Sequence, residues 1–410
     1  MDGRMSLGLG VIQAAARIAA DGVQESFGRG LPRTPEQLVQ RDVLDGLLRD
    51  HAPGDGARLP KLRSARLPGV WFESSNCTNF LIEPEFEPLN PRDPAAELPR
   101  TLYAKLPCRE LATRTFANAI GFWDTEVAFC RNLASRVPIR VPRVYAVAQR
   151  GSRFVLLLEN VHELDGAELF INRDMARGTT IERARRVMQT FAALHAGFWD
   201  LPSAEREALL SMKLHPYLAP GGREKMRALN ASAIDRAHRA APKVFTRAHA
   251  AMAHRAIAKW DVLMAAWYSA PLTLIHGDSH LGNCFEYATP DGPRVGLLDF
   301  QGVQWCRGMR DVQYFLINSL EPDLLARHES ELIDLYVAEL AARGVELATA
   351  EAHAQYRAFS FQTLMVAVVS LGLGSLTERS ETVDAILRRS VAAIDRLGFE
   401  DWLGQVGSAE

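Results

Sequence analysis

The chain has 410 residues, with 47 basic against 49 acidic side chains, a formal net charge of -2 and 48% hydrophobic residues. This composition excludes a disordered or collagen-like chain and argues against a surface built wholly to meet nucleic acid. Such a length makes two or three domains, or one bilobed unit, and buries enough surface to need no disulfide or metal staple.

Met1 to Ala20 carries a mild apolar run broken by Arg17, with no small-residue cleavage site after it, so it does not read as a signal peptide. Thr34 as N-cap and Pro35 at the first helical position predict a helix with Leu38, Val39, Val43, Leu47 and Leu48 on one face. Beyond the turn-rich stretch Pro53 to Pro60 the period changes. Val70 to Phe72, Phe80 to Ile82 and Leu102 to Leu106 read as strands, the first two joined by the polar loop Glu73-Ser74-Ser75-Asn76. Glu83 to Pro99 is rich in proline and acid and reads as a solvated connection. Phe116, Ile120, Trp123, Val127 and Cys130 predict one long helix, and Val144 to Ala148 and Phe154 to Leu158 two more strands. The expectation is an α+β chain: a helical extension over 1–66, a small five-stranded lobe over 67–160, and a larger helical lobe over 161–410.

The larger lobe carries helical stripes at Val187, Phe191, Leu194 and Phe198, at Leu332 to Leu340, and at Ile386 to Ile394. Ala358 to Thr377 holds 20 uncharged residues, but Ser360, Gln362, Thr363, Ser370 and Ser375 make it a buried core helix rather than a membrane span. Cys77, Cys108, Cys130, Cys284 and Cys306 form no C-x-x-C pair and have no histidine at ligand spacing, the pattern of reduced thiols in a cytoplasmic protein.

Chemistry concentrates where two short apolar strands, Leu272 to Ile275 and Val295 to Leu298, run into His276-Gly277-Asp278 and Asp299-Phe300-Gln301. Asp278 and Asn283 are five apart, the D-x-x-x-x-N spacing that sets a base beside an acceptor hydroxyl and an amide oxygen on Mg²⁺. Asp299 then closes the metal site. Phosphoryl transfer asks a protein for positioning and for cancellation of triphosphate charge, and hard oxygen ligands on Mg²⁺ with a carboxylate facing the hydroxyl supply both. The same logic calls for a cation on the α- and β-phosphates of ATP and a carboxylate to hold it. Lys105, in the third strand, and Glu126, one helix later, fit those roles. Ser74, Ser75 and Asn76 could present amides as an anion nest.

The run His276-Gly277-Asp278-Ser279-His280-Leu281-Gly282-Asn283 resembles the H-G-D-x-H-x-x-N signature of the aminoglycoside phosphotransferase and choline kinase superfamily. Asp299-Phe300-Gln301 followed by Arg310-Asp311-Val312-Gln313-Tyr314-Phe315-Leu316, with Leu194-His195-Ala196-Gly197-Phe198-Trp199 upstream, looks most like its ecdysteroid kinase-like branch. The resemblance implies a bilobed, protein-kinase-like fold and ATP-dependent phosphorylation of a small-molecule alcohol. It further implies Leu157 to Asn160, with Glu159, as the hinge whose backbone meets adenine, and Asp311 as a carboxylate holding the catalytic loop. Gly277 stands where protein kinases carry the arginine of H-R-D, so control by activation-loop phosphorylation is not expected.

Three other readings compete. His276, Asp278 and His280 alternate along an extended segment and could bind zinc as in a metallohydrolase, which would leave Lys105, Asn283 and Asp299 unexplained. A catalytically silent nucleotide binder would have no use for Asp278. Arg239, Lys243, Arg247, Arg255 and Lys259 step by four or eight as a basic stripe, by default a solvated helix face and otherwise a surface for an anionic substrate or nucleic acid, the latter disfavoured by the overall charge. For the acceptor, an apolar face of the Ala358 to Thr377 helix lining the pocket would favour an uncharged, lipophilic alcohol over aminoglycosides or choline.

Overall fold

The computed structural model describes residues 3–26, 30–53, 59–72, 74, 76–88, 98–171, 173–372 and 380–406. The chain forms two compact units. One comprises Gly8–Val137 and Val141–Ala167, the other Met1–Leu7, Pro138–Arg140 and Glu168–Glu410.

The first part of the chain runs α1 (Gly3–Ser26), α2 (Pro35–Leu38), α3 (Arg41–Asp50), β1 (Leu62–Arg66), β2 (Trp71–Phe72), β3 (Cys77–Phe86), β4 (Leu102–Pro107), α4 (Leu111–Ile120), α5 (Phe122–Asn132), β5 (Val144–Arg150) and β6 (Arg153–Glu159). The strands pair antiparallel in the order β1-β3-β4-β6-β5, and β2 pairs β3 off this path. The α+β class and all five expected strands, β2 to β6, are present, while β1 was not anticipated and makes the sheet six-stranded: of its residues only Leu62 is buried. Thr34 caps α2 as its sequence suggests, accepting from the Gln37 amide. Leu38, Leu44, Leu47 and Leu48 pack on one sheet face with Phe80, Ile82, Ala104, Leu106, Val155 and Leu157. Alternation along β4 turns Lys105 away from Ala104 and Leu106. The expected single helix is two, α4 and α5, because Gly121 sits between them at φ 89, outside helical space.

The second unit begins with β7 (Glu168–Leu169), α6 (Asp174–Arg177), α7 (Ile181–Ala196), α8 (Ser203–Leu209), α9 (Gly222–Ala240), α10 (Arg247–Ala258) and α11 (Trp260–Tyr268). It continues through β8 (Thr273–Ile275), β9 (Cys284–Thr289), β10 (Gly292–Leu297), β11 (Gln304–Cys306), α12 (Met309–Ser319), α13 (Pro322–Ala341), α14 (Thr349–Gly372), α15 (Glu381–Arg396) and α16 (Phe399–Val406). The β9–β10 hairpin supports β7, and β8 pairs β11. Helix α14 is the expected core helix. It packs against α9, α12 and α15, and Trp267 stacks on Phe359 and Phe361. Phe359, Phe361, Leu364, Met365, Val368 and Leu371 are all buried, so the premise of an apolar pocket wall on this helix is corrected: these side chains meet protein. Residues 373–377 of the expected helix lie outside the described residues. Among those described, no helix is long and apolar enough to cross a membrane.

The basic stripe is also corrected. Residues 241–246 interrupt it, so it spans the ends of α9 and α10 rather than one helix face. Arg255 pairs with Glu400, and the Lys259 ammonium donates to the Leu403 carbonyl at 2.7 Å.

Gly121 tests the helix break. Its site has open space but left-handed geometry, so Gly121→Ala should cost roughly 1–2 kcal/mol through backbone strain alone. Urea unfolding reads this directly; a stabilised variant would mean that α4 and α5 are continuous.

Candidate active site

Two sets of functional side chains form, one within each unit. In the sheet unit the Lys105 ammonium lies 2.6 Å from Glu126 Oε1, with both side chains only 4% exposed. Register fixes the lysine, which faces Asn79 on β3 and Leu156 on β6. Burial of Trp123, Val127 and Phe129 seats α5, which carries Glu126. A buried pair of this kind contributes little net stability, since desolvation consumes most of the attraction, yet it holds an ammonium at one point on the sheet. Of the expected phosphate turn, Ser75 lies outside the described residues. Ser74 Oγ accepts from the Cys77 amide at 3.2 Å, and the Asn76 carbonyl accepts from Cys108 at 3.3 Å. Glu159, expected at the hinge, spends its amide on the Arg143 carbonyl, and its carboxylate accepts from the Arg143 amide, at 2.8 and 2.9 Å.

In the helical unit, β8 ends at Ile275 and the chain enters the loop 276–283. Gly277 turns it at φ 80, and a Cβ there would overlap the Gly302 carbonyl. Glycine is therefore required by close backbone approach as well as by dihedral, and an arginine at this position has no room. Helix α12 holds the loop at five points. The Asp311 carboxylate accepts from the amides of His276 at 2.6 Å and Gly277 at 2.9 Å. The Asp311 carbonyl accepts from Ser279 Oγ at 3.1 Å, and Ser319 Oγ accepts from the Leu281 amide at 3.2 Å. The Tyr314 hydroxyl donates to Asp278 Oδ1 at 3.1 Å. Burial opposes charge on Asp311, but His195, 3.3 Å from Oδ2, and the loop amides outweigh it and keep the carboxyl below its ordinary range.

Asp278 is half-buried, its side chain 45% accessible. Burial works against its ionisation. The His280 imidazole 3.5 Å from Oδ2, the nearby His276 and the Tyr314 hydroxyl overcome that, holding the Asp278 carboxyl well below the usual carboxylate range. Asn283 Nδ2 donates to the Asp278 carbonyl at 2.8 Å and stands 3.4 Å from Oδ2, which turns the amide oxygen away from the loop. The Leu298 amide donates to the Asn283 carbonyl at 2.8 Å, tying Asn283 to the segment that delivers Asp299. Asp299 follows β10 in left-handed backbone at φ 59. A turned-out amide oxygen and a carboxylate on adjoining segments are the hard donor set that suits Mg²⁺.

The zinc reading fails on His276. Its Nε2 is 2.7 Å from the Leu298 carbonyl and its Nδ1 accepts from the Asp278 amide at 3.3 Å, so neither nitrogen offers a lone pair to a metal. Among the described residues no group of three or more His, Cys, Asp or Glu could hold a metal ion.

The ecdysteroid kinase-like family profile matches residues 115–348, more than half of the chain. The chain belongs to the ecdysteroid kinase-like family. Among solved structures, an ethanolamine kinase of Plasmodium vivax is similar at 9% identity with a TM-score of 0.48, covering 82% of this chain and 83% of that one. An aminoglycoside 2'-phosphotransferase determined with GDP is similar at 14% identity with a TM-score of 0.48, covering 83% of this chain and 95% of that one. No curated protein matches the sequence. This ecdysteroid kinase-like chain is thus a small-molecule kinase by family. Sequence reasoning gave Tyr314 no role, although it lies three residues after Asp311 and therefore on the same helical face. His195 and Tyr336, whose hydroxyl is 2.9 Å from His195 Nδ1, complete the support of Asp311.

Asp311→Ala strands two amides and a buried imidazole and should destabilise the chain by roughly 3 kcal/mol. Because the folded carboxyl titrates low, its contribution is fully present above the ordinary carboxylate range and is lost as pH falls through the folded value. Chemical denaturation at pH 7 checks the loss; a change below about 0.5 kcal/mol would remove Asp311 from its supporting position.

Proposed function

We propose that this kinase transfers the γ-phosphoryl group of ATP to a hydroxyl of a small molecule, with Asp278 as the catalytic base. The observation that carries the reading is the set of contacts around Asp278: a solvent-accessible carboxylate whose loop is anchored to α12 and whose Oδ2 neighbours the Asn283 amide. The acceptor oxygen forms the new bond to the γ-phosphorus as the bond to the β,γ-bridging oxygen breaks, ADP leaves, and the hydroxyl proton passes to Asp278. A carboxylate held so low is a weak base, so its main work is to orient the hydroxyl, as suits a loose phosphoryl-transfer transition state. Lys105, fixed by Glu126, holds the α- and β-phosphates. Asn283 and Asp299 would hold Mg²⁺, which supplies charge cancellation on the triphosphate. The backbone of Leu157 to Asn160 and the turn at Asn76 serve the adenine and the phosphates. In this reading 67–160 is the nucleotide-binding lobe and 161–410 the catalytic and acceptor-binding lobe.

A silent nucleotide binder would have no need of a solvent-accessible carboxylate with three ordered neighbours. The lipophilic acceptor rested on α14 as a pocket wall, and with those side chains buried that class has no support from this helix.

Asp278→Asn should leave ATP binding nearly intact and lower kcat about 10²- to 10⁴-fold. Near-normal turnover in that variant would remove the base. Since the Asp278 carboxyl titrates below its ordinary range, kcat/KM should show no acid limb from this residue above about pH 5. An acid limb near pH 6 that disappears in Asp278→Asn would contradict that electrostatic description.

A further inference from the structure

Three arginines in the described residues are buried, and two of them, Arg389 and Arg310, differ in a way that packing does not explain. Arg389, 2% exposed, is bonded throughout its guanidinium: to Glu321 and to the carbonyls of Met175, Ala176 and Asn318. Arg310 is 5% exposed, and its Nε and Nη1 are buried with no acceptor. Among the described residues no carboxylate pairs with it. A desolvated cation left so costs several kcal/mol unless a partner from outside the chain, a water or an anion, meets it, and a full positive charge favours the anion.

The surroundings of Arg310 lead to the chemistry. Its guanidinium stacks on the Tyr314 ring, 4.3 Å from the centroid, and the Tyr314 hydroxyl is bonded to Asp278 Oδ1. Asn283 and His280 occupy the side of Oδ2. The two oxygens of the base thus separate an Asn283 side, suited to metal, from a Tyr314–Arg310 side. Around Arg310 stand two half-buried phenols, Tyr217 and Tyr268, with ring centroids 5.3 Å apart. Burial raises both phenol pKa values, and the Arg310 charge acts against that at each. Gln362 donates to the Tyr268 hydroxyl at 3.2 Å, and its own amide oxygen is buried without a donor.

We propose that Arg310, with Tyr217, Tyr268 and Gln362, forms the subsite for an anionic group on the acceptor, so that the alcohol phosphorylated carries a carboxylate or a phosphate. The proposal deepens the kinase reading and rests on it for the word acceptor. Arg310 supplies the charge, the phenols supply hydroxyl donors at the rim, and Tyr314 couples the subsite to the base. An ammonium in the same place would face an unscreened guanidinium, which disfavours cationic alcohols.

The test compares ω-hydroxy acids, ω-hydroxyalkyl phosphates, ω-amino alcohols and plain alkanols of matched chain length as acceptors for the full chain. One anionic series should exceed the alkanols and amino alcohols at least about tenfold in kcat/KM, and which one leads tells carboxylate from phosphate. Arg310→Gln should abolish that preference mainly through KM, and Arg310→Lys should keep part of it. A preference for amino alcohols, no preference, or one that survives Arg310→Gln overturns the subsite. If Arg310→Gln does not fold, Tyr268→Phe combined with Gln362→Leu takes its place, and an unchanged preference there is equally decisive. Thermal shift with glycolate and with inorganic phosphate, at saturating ADP and Mg²⁺, separates this proposal from the kinase reading. An anion-dependent shift that needs Arg310 in a protein without phosphotransfer upholds the subsite while the kinase reading falls. An active kinase whose melting temperature ignores both anions overturns the subsite alone.

Discussion

A carboxylate with no exposed surface, Asp311, sets the geometry on which the loop 276–283 depends. Burying that charge is costly, and the cost is offset only because the loop amides of His276 and Gly277 and the His195 ring all point at it. The same contacts that stabilise the charge therefore define the backbone of the loop. With positions 276 and 277 fixed, Asp278 can only project outward, and with α12 buried along its whole length the anchor cannot drift. Tyr314 and Ser319 extend the grip to Asp278 and Leu281, so one helix supports the whole loop.

The sheet unit solves a related problem with the opposite sign. A lysine on a central strand is expensive to bury, and Glu126 makes it tolerable by meeting it from α5. In both units one member of a buried charged set sits on a packed helix, Glu126 on α5 and Asp311 on α12, so the position of the groups it holds follows from how that helix packs. Arg310 breaks this pattern. It is buried like the others, yet its guanidinium stacks on an aromatic face and has no acceptor of its own. Among the described residues it differs in this from Lys105, Asp311 and Arg389, each of which meets an oppositely charged or hydrogen-bonding group, and that difference is the observation behind the proposed anion subsite.

Much of this was legible in the sequence because the chemistry is local. Asp278 and Asn283 share one loop, and their spacing singles out both residues; the structure adds that the Asn283 amide meets the Asp278 carbonyl. The strands around Lys105 announce themselves by alternation, so the α+β class and the order of elements followed. What escaped detection depends on distant partners or on single dihedrals. Gly121 divides a continuous apolar stripe that periodicity reads as one helix. Strand β1 has one core side chain, too few for a pattern. The apolar run in α14 gives no clue to which of its faces meets protein, and here every named side chain does. Tyr314 and Arg310 take their meaning from a loop thirty-odd residues earlier in the chain, and no spacing rule reaches that far.

The account stands or falls on where the γ-phosphoryl group goes. Phosphorus-31 NMR of the purified chain with ATP, Mg²⁺ and a mixture of anionic, neutral and cationic alcohols follows every phosphorus species at once. The account predicts a new phosphomonoester resonance growing in step with ADP, absent without Mg²⁺ and growing at least about a hundredfold more slowly in Asp278→Asn. Conversion of ATP to ADP and inorganic phosphate alone, or ATP that persists unchanged across the whole mixture, would contradict it.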